Sequence, residues 1–247
     1  MTSEHVPPNG AANPHISIVI PVYNEEAILE AAVKDLIDRL RAFDFTYELI
    51  LAENGSRDKT VLLAEELSQR FGQVRTFSLG EPNYGKALRR GILEARGDIV
   101  ICDEIDLCDT DFYTRALKIL EGNEADLVVG SKLLDASSDE RPMTRHLATI
   151  VINGLLRVTL GFKGTDTHGL KAFKRSQLVD VVERCIVDKD LFASELVIRA
   201  ERSNVVRVKE IPVRVLEKRA PSIHLFRRVP NVLKGIARLV YAIRIQG

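Results

Sequence analysis

The chain reads as an α/β domain built on a mainly parallel, open sheet flanked by helices, and three observations predict it. Short apolar bursts alternate with amphipathic stretches through the first half of the sequence. The bursts are nearly continuous in Ile, Val and Leu, the mark of strands covered on both faces. The length of 247 residues, with 45% hydrophobic and 28% charged side chains, is enough to bury such a sheet.

The elements follow in order. His15–Val22 is the first buried strand. Glu25–Phe43 carries Ile28, Leu29, Ala32, Val33, Leu36, Ile37 and Leu40 at helical spacing. Tyr47–Ala52 is a strand and Asp58–Phe71 a helix. Val74–Leu79 and Gly85–Arg96 repeat the alternation, as do Ile99–Cys102 and Asp111–Leu120, and Asp126–Gly130 is a fifth strand. The second half breaks this rhythm: Arg145–Leu160 is helical, Gly169–Phe173 a short strand, Ser176–Arg184 and Leu191–Arg202 are helical, and Val205–Val215 alternates as a strand does. No linker, repeat or low-complexity segment interrupts the chain. The expected organisation is a disordered polar tail at 1–14, one continuous domain at 15–221, and a basic amphipathic C-terminal extension at 222–247.

Composition excludes several classes. Thirty-five basic residues balance thirty-five acidic ones, so no global field draws the chain to nucleic acid. Cys102, Cys108 and Cys185 form no C-x-x-C pair, which suits a reduced, cytoplasmic setting. The longest apolar stretch, Leu147–Phe162, is broken by Asn153, Gly154 and Arg157, short of what a spanning helix needs. The C-terminal pattern places Leu225, Phe226, Val229, Leu233, Ile236, Leu239, Val240 and Ile243 among Arg227, Arg228, Lys234, Arg238 and Arg244, with no acid. Such a helix either lies on the inner face of a membrane as a peripheral contact or docks on the core with its basic face in water.

The chemistry gathers where strands end. Ile99–Cys102 runs into Asp103-Glu104-Ile105-Asp106, which delivers clustered acids to the carboxyl edge of the sheet, where open α/β sheets take their ligands. Crowded carboxylates repel unless a cation sits among them, and hard oxygens suit Mg²⁺ or Mn²⁺, which in turn holds a diphosphate. Alone, the motif is better read as an acidic surface turn. Three more loops reach the same edge. Pro21-Val-Tyr-Asn-Glu-Glu26 puts acids in a first helical turn, with Asn24 as N-cap in the plainer reading. Glu53-Asn54-Gly55-Ser56-Arg57-Asp58 places a carboxylate at a strand end, suited to ribose hydroxyls or a base N–H. Asn83-Tyr84-Gly85-Lys86-Ala87 sets a lysine at a helix start, suited to phosphate. Neither a P-loop nor G-x-G-x-x-G is present, which disfavours ATP-driven phosphoryl transfer and a dinucleotide fold. Together the loops indicate a nucleoside diphosphate bound through metal.

These motifs, with Val129-Gly-Ser-Lys132, resemble in order and spacing those of the family 2 glycosyltransferases of GT-A fold. Within that family the chain looks most like the polyprenyl-phosphate sugar transferases. The resemblance implies a nucleotide-sugar donor, GDP- or UDP-linked, with Pro21, Tyr23 and Glu25 lining the base pocket. It puts Glu53 and Asn54 at the ribose or base, Lys86 near phosphate, and Asp103 in contact with the nucleotide. The family's D-x-D falls on Glu104-Ile105-Asp106, so Glu104 and Asp106 are the implied metal ligands. Cys108 stands where the family often has a glutamine, and Glu53-Asn54 where it has two aspartates. On the acceptor side the implied residues are Lys132, Arg145 and Thr149, with Asp106, Arg145 and Arg219 as catalytic groups. Thr167-His-Gly-Leu-Lys-Ala-Phe173 resembles a Ser-Gly-Phe-Arg-Ala-Phe stretch, and Glu210-Ile-Pro212-Val a Glu-Val-Pro motif. The implied reaction inverts the anomeric carbon. A lipid phosphate acceptor is already an anion and needs cations to be brought to the donor. A hydroxyl acceptor, in a soluble transferase, needs a base, for which Asp166 and His168 are available. A non-catalytic nucleotide-sugar-binding domain is the remaining alternative, motivated by Glu104 and Cys108.

Overall fold

The computed structural model describes residues 13–134, 143–213 and 225–245, and leaves out the side chains of 143–149, 190 and 225–232. Most of the expected N-terminal tail therefore lies outside the described residues. The elements are β1 (Ile16–Val22), α1 (Leu29–Leu40), β2 (Tyr47–Glu53), α2 (Thr60–Arg70), β3 (Val74–Ser78), α3 (Tyr84–Glu94), β4 (Ile99–Cys102) and α4 (Thr110–Glu121). They continue with β5 (Leu127–Ser131), α5 (Met143–Leu160), β6 (Lys171–Lys174), α6 (Arg175–Arg184), a 3-10 turn at Lys189–Leu191, α7 (Phe192–Arg202), β7 (Val208–Pro212) and α8 (Leu225–Arg244).

The strands form one seven-stranded sheet in the order β3-β2-β1-β4-β6-β5-β7. It is mainly parallel; β6 alone runs antiparallel to its neighbours β4 and β5. The strand order departs in opposite directions from the β1/β4 pair, and such a switch point opens a crevice at the carboxyl ends of the strands.

Two cores flank the sheet. Ile18, Ile20, Leu49, Leu51 and Ile101 face α1, α2 and α4, where Leu29, Val33, Leu36, Leu40, Phe112, Tyr113 and Leu120 are buried. Val19, Ile50, Val100 and Phe173 point the other way, toward Leu88, Ile92, Leu178, Val182, Phe192 and Leu196 of α3, α6 and α7. The alternation of Ile18, Val19 and Ile20 between the two cores is the period of a strand. Gly91 lets α3 lie directly on β1, because a Cβ there would stand 2.4 Å from Val19 Cγ1.

The C-terminal helix joins the second core. Ile236, Leu239 and Ile243 are buried in it, and Arg199 donates to the Ala242 carbonyl at 3.1 Å. Arg199 is itself paired at 2.8 Å with Glu195, a fully buried carboxylate that also accepts the N–H groups of Ile186 and Val187. Lys234, Arg238, Tyr241 and Arg244 remain exposed. Among the described residues no helix is long and apolar enough to cross a membrane.

The largest boundary difference from the sequence reading is at the start of the first helix. The first helix begins at Leu29, not Glu25, and Asn24 is not its N-cap. Asn24 has φ of 54°, in the left-handed region that Asn tolerates, and its side chain is committed to the next loop.

Candidate active site

The loops after β1 and β2 are laced to each other by side chains. Asn24 N–H donates to Ser56 Oγ at 2.9 Å, and Asn24 Oδ1 accepts Arg57 N–H at 2.9 Å. Glu25 N–H donates to Thr60 Oγ1 at 2.7 Å, and Glu26 exchanges bonds with Asp58 and the Lys59 N–H. Pro21 and Glu25 are half-buried beside this seam, and Tyr23 stands out from it, 38% exposed. Glu53 is only 1% exposed; it accepts Ser56 N–H at 2.5 Å and the Ser78 hydroxyl. Burial alone would raise its pKa, but the bonds from Ser78, Ser56 and Gly55 win and hold it below the ordinary value. Glu53 is thus an ionised brace within its own loop.

A third loop is tied to these two. Asn54 Oδ1 accepts the N–H of Asn83. Asn83 caps α3 by accepting Lys86 N–H at 3.0 Å, accepts Lys189 N–H at 3.0 Å, and donates to Asp188 at 3.0 Å. Lys86 is exposed on the first turn of α3, and Glu81 at 2.6 Å raises its pKa. The sequence offered no sign that Asn83 and Asp188 join; their contact spans more than a hundred positions.

The acidic loop starts in a recess. β4 ends at Cys102, opposite Val19, while β1 runs on to Val22. Asp103 is 2% exposed and turns inward: Oδ2 accepts the Tyr113 hydroxyl at 2.5 Å and Asp109 N–H at 3.1 Å, and Oδ1 accepts Glu104 N–H at 2.6 Å. Burial pushes its pKa up to about 7 against those bonds. Arg39 reaches from α1 to the Cys108 carbonyl at 2.8 Å. Cys108 itself faces the core, where burial pushes its thiol up to about 12, so it does not serve as the glutamine would.

Glu104 and Asp106 are half-buried in this recess. Burial raises the Glu104 pKa; Lys132 and Lys171 draw it back, and Asp106 and Asp166 add to the rise. Glu104 and Asp106 follow β4, Lys132 follows β5 and Lys171 opens β6, so these charges share one edge of the sheet. Asp166 lies in a loop held by Glu210 on β7, which accepts Thr165 N–H at 2.7 Å and Asp166 N–H at 3.2 Å. His168, in the same loop, is exposed.

Among the described residues no three His, Cys, Asp or Glu side chains converge as a metal cage. Mg²⁺ is commonly held by one or two carboxylates and the substrate's phosphates, and the Glu104/Asp106 pair fits that mode. On the acceptor side, Lys132 is half-buried after β5. Arg145 and Thr149 fall in α5, but their side chains lie outside the described residues, as does the whole of Arg219.

Comparison with known proteins shows the family and the fold. Residues 17–181 match the family described as glycosyl transferase family 2. The chain is 28% identical over 242 residues to glycosyltransferase AglD of Haloferax volcanii, covering 96% of this chain and 38% of the relative. It is 29% identical over 205 residues to the undecaprenyl-phosphate 4-deoxy-4-formamido-L-arabinose transferase of Edwardsiella ictaluri, covering 82% of this chain and 60% of that protein. With the dolichyl-phosphate beta-glucosyltransferase of Dictyostelium discoideum it shares 28% identity over 249 residues, 94% of this chain and 75% of the relative. The chain thus spans well under two thirds of AglD. Among solved structures, glucosyl-3-phosphoglycerate synthase of Mycobacterium tuberculosis with Mn²⁺, UDP and glucosyl-3-phosphoglycerate superposes with a TM-score of 0.61 at 22% identity, over 92% of this chain and 80% of that one. The fold is that of the GT-A glycosyltransferases, and the chain belongs to glycosyl transferase family 2.

Proposed function

We propose that the chain is an inverting glycosyltransferase that moves a sugar from a GDP- or UDP-linked donor to a polyprenyl phosphate at the cytoplasmic face of a membrane. The observation that carries this reading is that Glu104 and Asp106 after β4 and Lys132 after β5 come to the same carboxyl edge of the sheet, next to the switch point. Acids to hold a hard cation and a half-buried lysine, Lys132, to meet phosphate lie at one edge of the sheet. The names of the dolichyl-phosphate and undecaprenyl-phosphate relatives support the acceptor class.

In this reading Pro21, Tyr23 and Glu25 line the base pocket along the seam between the first two loops. Glu53, Asn54 and Asp103 hold the shape of the nucleotide site from beneath, and Lys86 faces phosphate. Glu104 and Asp106 would hold Mg²⁺ or Mn²⁺, which when bound neutralises charge on the departing nucleoside diphosphate. Lys132, Arg145 and Thr149 receive the acceptor phosphate, and Arg145 and Arg219 balance the two anions as they approach. The acceptor oxygen is already charged, so no proton has to be removed. Exposed Ile150, Val151 and Val158 on α5, and Leu233 and Tyr241 on α8 beside Lys234 and Arg238, provide an apolar and basic surface suited to an anionic bilayer.

The test is transfer from radiolabelled UDP- and GDP-sugars by the full chain, with a polyprenyl phosphate or with sugar hydroxyl acceptors. Label is expected in the lipid-phosphate product and to be lost in Arg145→Ala. Activity on hydroxyl acceptors alone, untouched by Arg145→Ala, overturns the lipid-phosphate acceptor.

A further inference from the structure

Residues 186–189 have no role in the reading drawn from sequence, yet they grip the loop that opens α3. Asp188 Oδ2 accepts the Asn83 carboxamide N–H at 3.0 Å, and Asn83 Oδ1 accepts Lys189 N–H at 3.0 Å. The same Oδ1 accepts Lys86 N–H at 3.0 Å, so one side chain carries both the cap of α3 and the distant segment. Asn83 is 5% exposed, and a partner lost there is not simply replaced by water. The two backbones also touch: a Cβ on Gly85 would stand 2.5 Å from the Lys189 carbonyl oxygen. Lys189 has φ of 55°, a left-handed conformation that a lysine keeps only where its surroundings impose it.

A buried carboxylate holds the other end of the segment. Glu195 on α7 is 0% exposed, and its Oε2 accepts Ile186 N–H at 2.9 Å and Val187 N–H at 2.7 Å. Its Oε1 is paired with Arg199 at 2.8 Å, and Arg199 in turn donates to the Ala242 carbonyl of α8. With both oxygens committed, Glu195 keeps one orientation. The segment is therefore fastened to α7 at its first two residues and to Asn83 at its last two.

We propose that Asp188 is a positioning residue of the donor site: anchored by the Glu195-held backbone, it orients the Asn83 carboxamide and so sets Lys86 and the first turn of α3 toward the phosphates of a nucleoside diphosphate. The inference rests on the reading of this edge as a nucleoside diphosphate site. Asp188 acts through its bond to Asn83. Its charge is the rival cause, since Glu81 and, after it, Asp188 raise the Lys86 pKa. Asparagine separates the two, because it loses the charge and keeps an oxygen that accepts the Asn83 N–H.

The experiment is calorimetric titration of the full chain with UDP and with GDP in Mn²⁺. Asp188→Ala is expected to weaken the bound nucleotide by about fivefold, the size of one hydrogen bond. Asp188→Asn is expected to restore the native affinity to within about twofold. In an Asn83→Ala background Asp188→Ala is expected to add nothing, because residues acting through one bond are not additive. Native affinity in Asp188→Ala overturns the proposal, as does a further loss in the double variant. Asp188→Asn as weak as Asp188→Ala overturns it in favour of charge. Glu195→Gln is expected to weaken binding to the same degree, and a folded Glu195→Gln with native affinity overturns the anchor. Asp188 is half-buried and outside the Glu195–Arg199 pair, so its variants decide even where Glu195→Gln does not fold. If neither nucleotide binds the native chain, the donor-site reading falls and this inference with it, a result distinct from the others.

Discussion

Tyr113 donates its phenol hydrogen to Asp103 Oδ2 at 2.5 Å, with both side chains sealed from water. This bond fastens the acidic loop to α4. The same carboxylate holds the N–H groups of Glu104 and Asp109, the two ends of the loop. Removing one partner leaves a buried acceptor short of a donor, which costs about 1–3 kcal/mol. Tyr113→Phe should lower the unfolding free energy by that amount, read as a lower urea midpoint at constant slope, and should weaken nucleotide binding because Glu104 is displaced with the loop.

The raised Asp103 sets a pH dependence. The native state keeps its proton to about pH 7, whereas the unfolded chain releases it near the ordinary carboxylate value. Between those limits the native state binds more protons, so stability falls as pH rises and levels off above about 7. Glu48, Glu53 and Asp126 have lowered pKa values; their contribution is lost only in acid, below about pH 4. The melting temperature should drop by roughly 5–10 °C from pH 4.5 to 7.5, and Asp103→Asn, neutral throughout, should flatten the slope.

Much of this architecture is legible in the sequence because each strand and helix carries its own period. Ile18, Val19 and Ile20 or Val33, Leu36 and Leu40 announce their faces without knowledge of the partner. The strand ends, and with them the loop acids, follow from that. What pattern does not convey is partnership across the chain. Nothing near Asn54 says that its carboxamide meets Asn83, and nothing near Asp103 says that it turns toward Tyr113. Asn24 sits where an N-cap belongs, yet Ser56 and Arg57 claim its polar groups. Lys171 had a local signal, a lone charge in Leu-Lys-Ala-Phe, and only its burial between β4 and β5 gave that signal weight.

Asn83 concentrates the ties between loops. Replacing it by Ala removes the cap of α3, worth about 1 kcal/mol, and strands the Lys189 N–H and Asp188. The expected loss is about 2–3 kcal/mol in thermal or urea unfolding. Because Asn54 and Lys86 are positioned from the same point, the donor KM should rise by about five- to tenfold with a smaller change in kcat.

Glu104 and Asp106 test the chemistry apart from the fold. Neither is a core brace as Asp103 is, and Asp106→Asn or Glu104→Gln keeps the side-chain volume. Each should lower transfer by about 10²-fold or more, the usual size of losing an electrostatic group at a reacting centre. The melting temperature should stay within about 2 °C. A Mn²⁺ titration of each variant should show a weakened metal response.

The outward side of α8 makes the final prediction. The helix buries Ile236, Leu239 and Ile243 in the core, so its attachment does not depend on its basic residues. Lys234, Arg238 and Arg244 are exposed, with Leu233 and Tyr241 among them. A basic residue near an anionic bilayer contributes about 1 kcal/mol, so changing all three to Gln should lower partitioning onto phosphatidylglycerol vesicles by about 100-fold. Binding of the native chain should fall with added salt, since the attraction acts over a Debye length. Co-sedimentation with anionic and zwitterionic vesicles measures both effects. Transfer to a short, water-soluble polyprenyl phosphate should survive the triple change, because these residues act on the bilayer and not on the acid recess at Glu104.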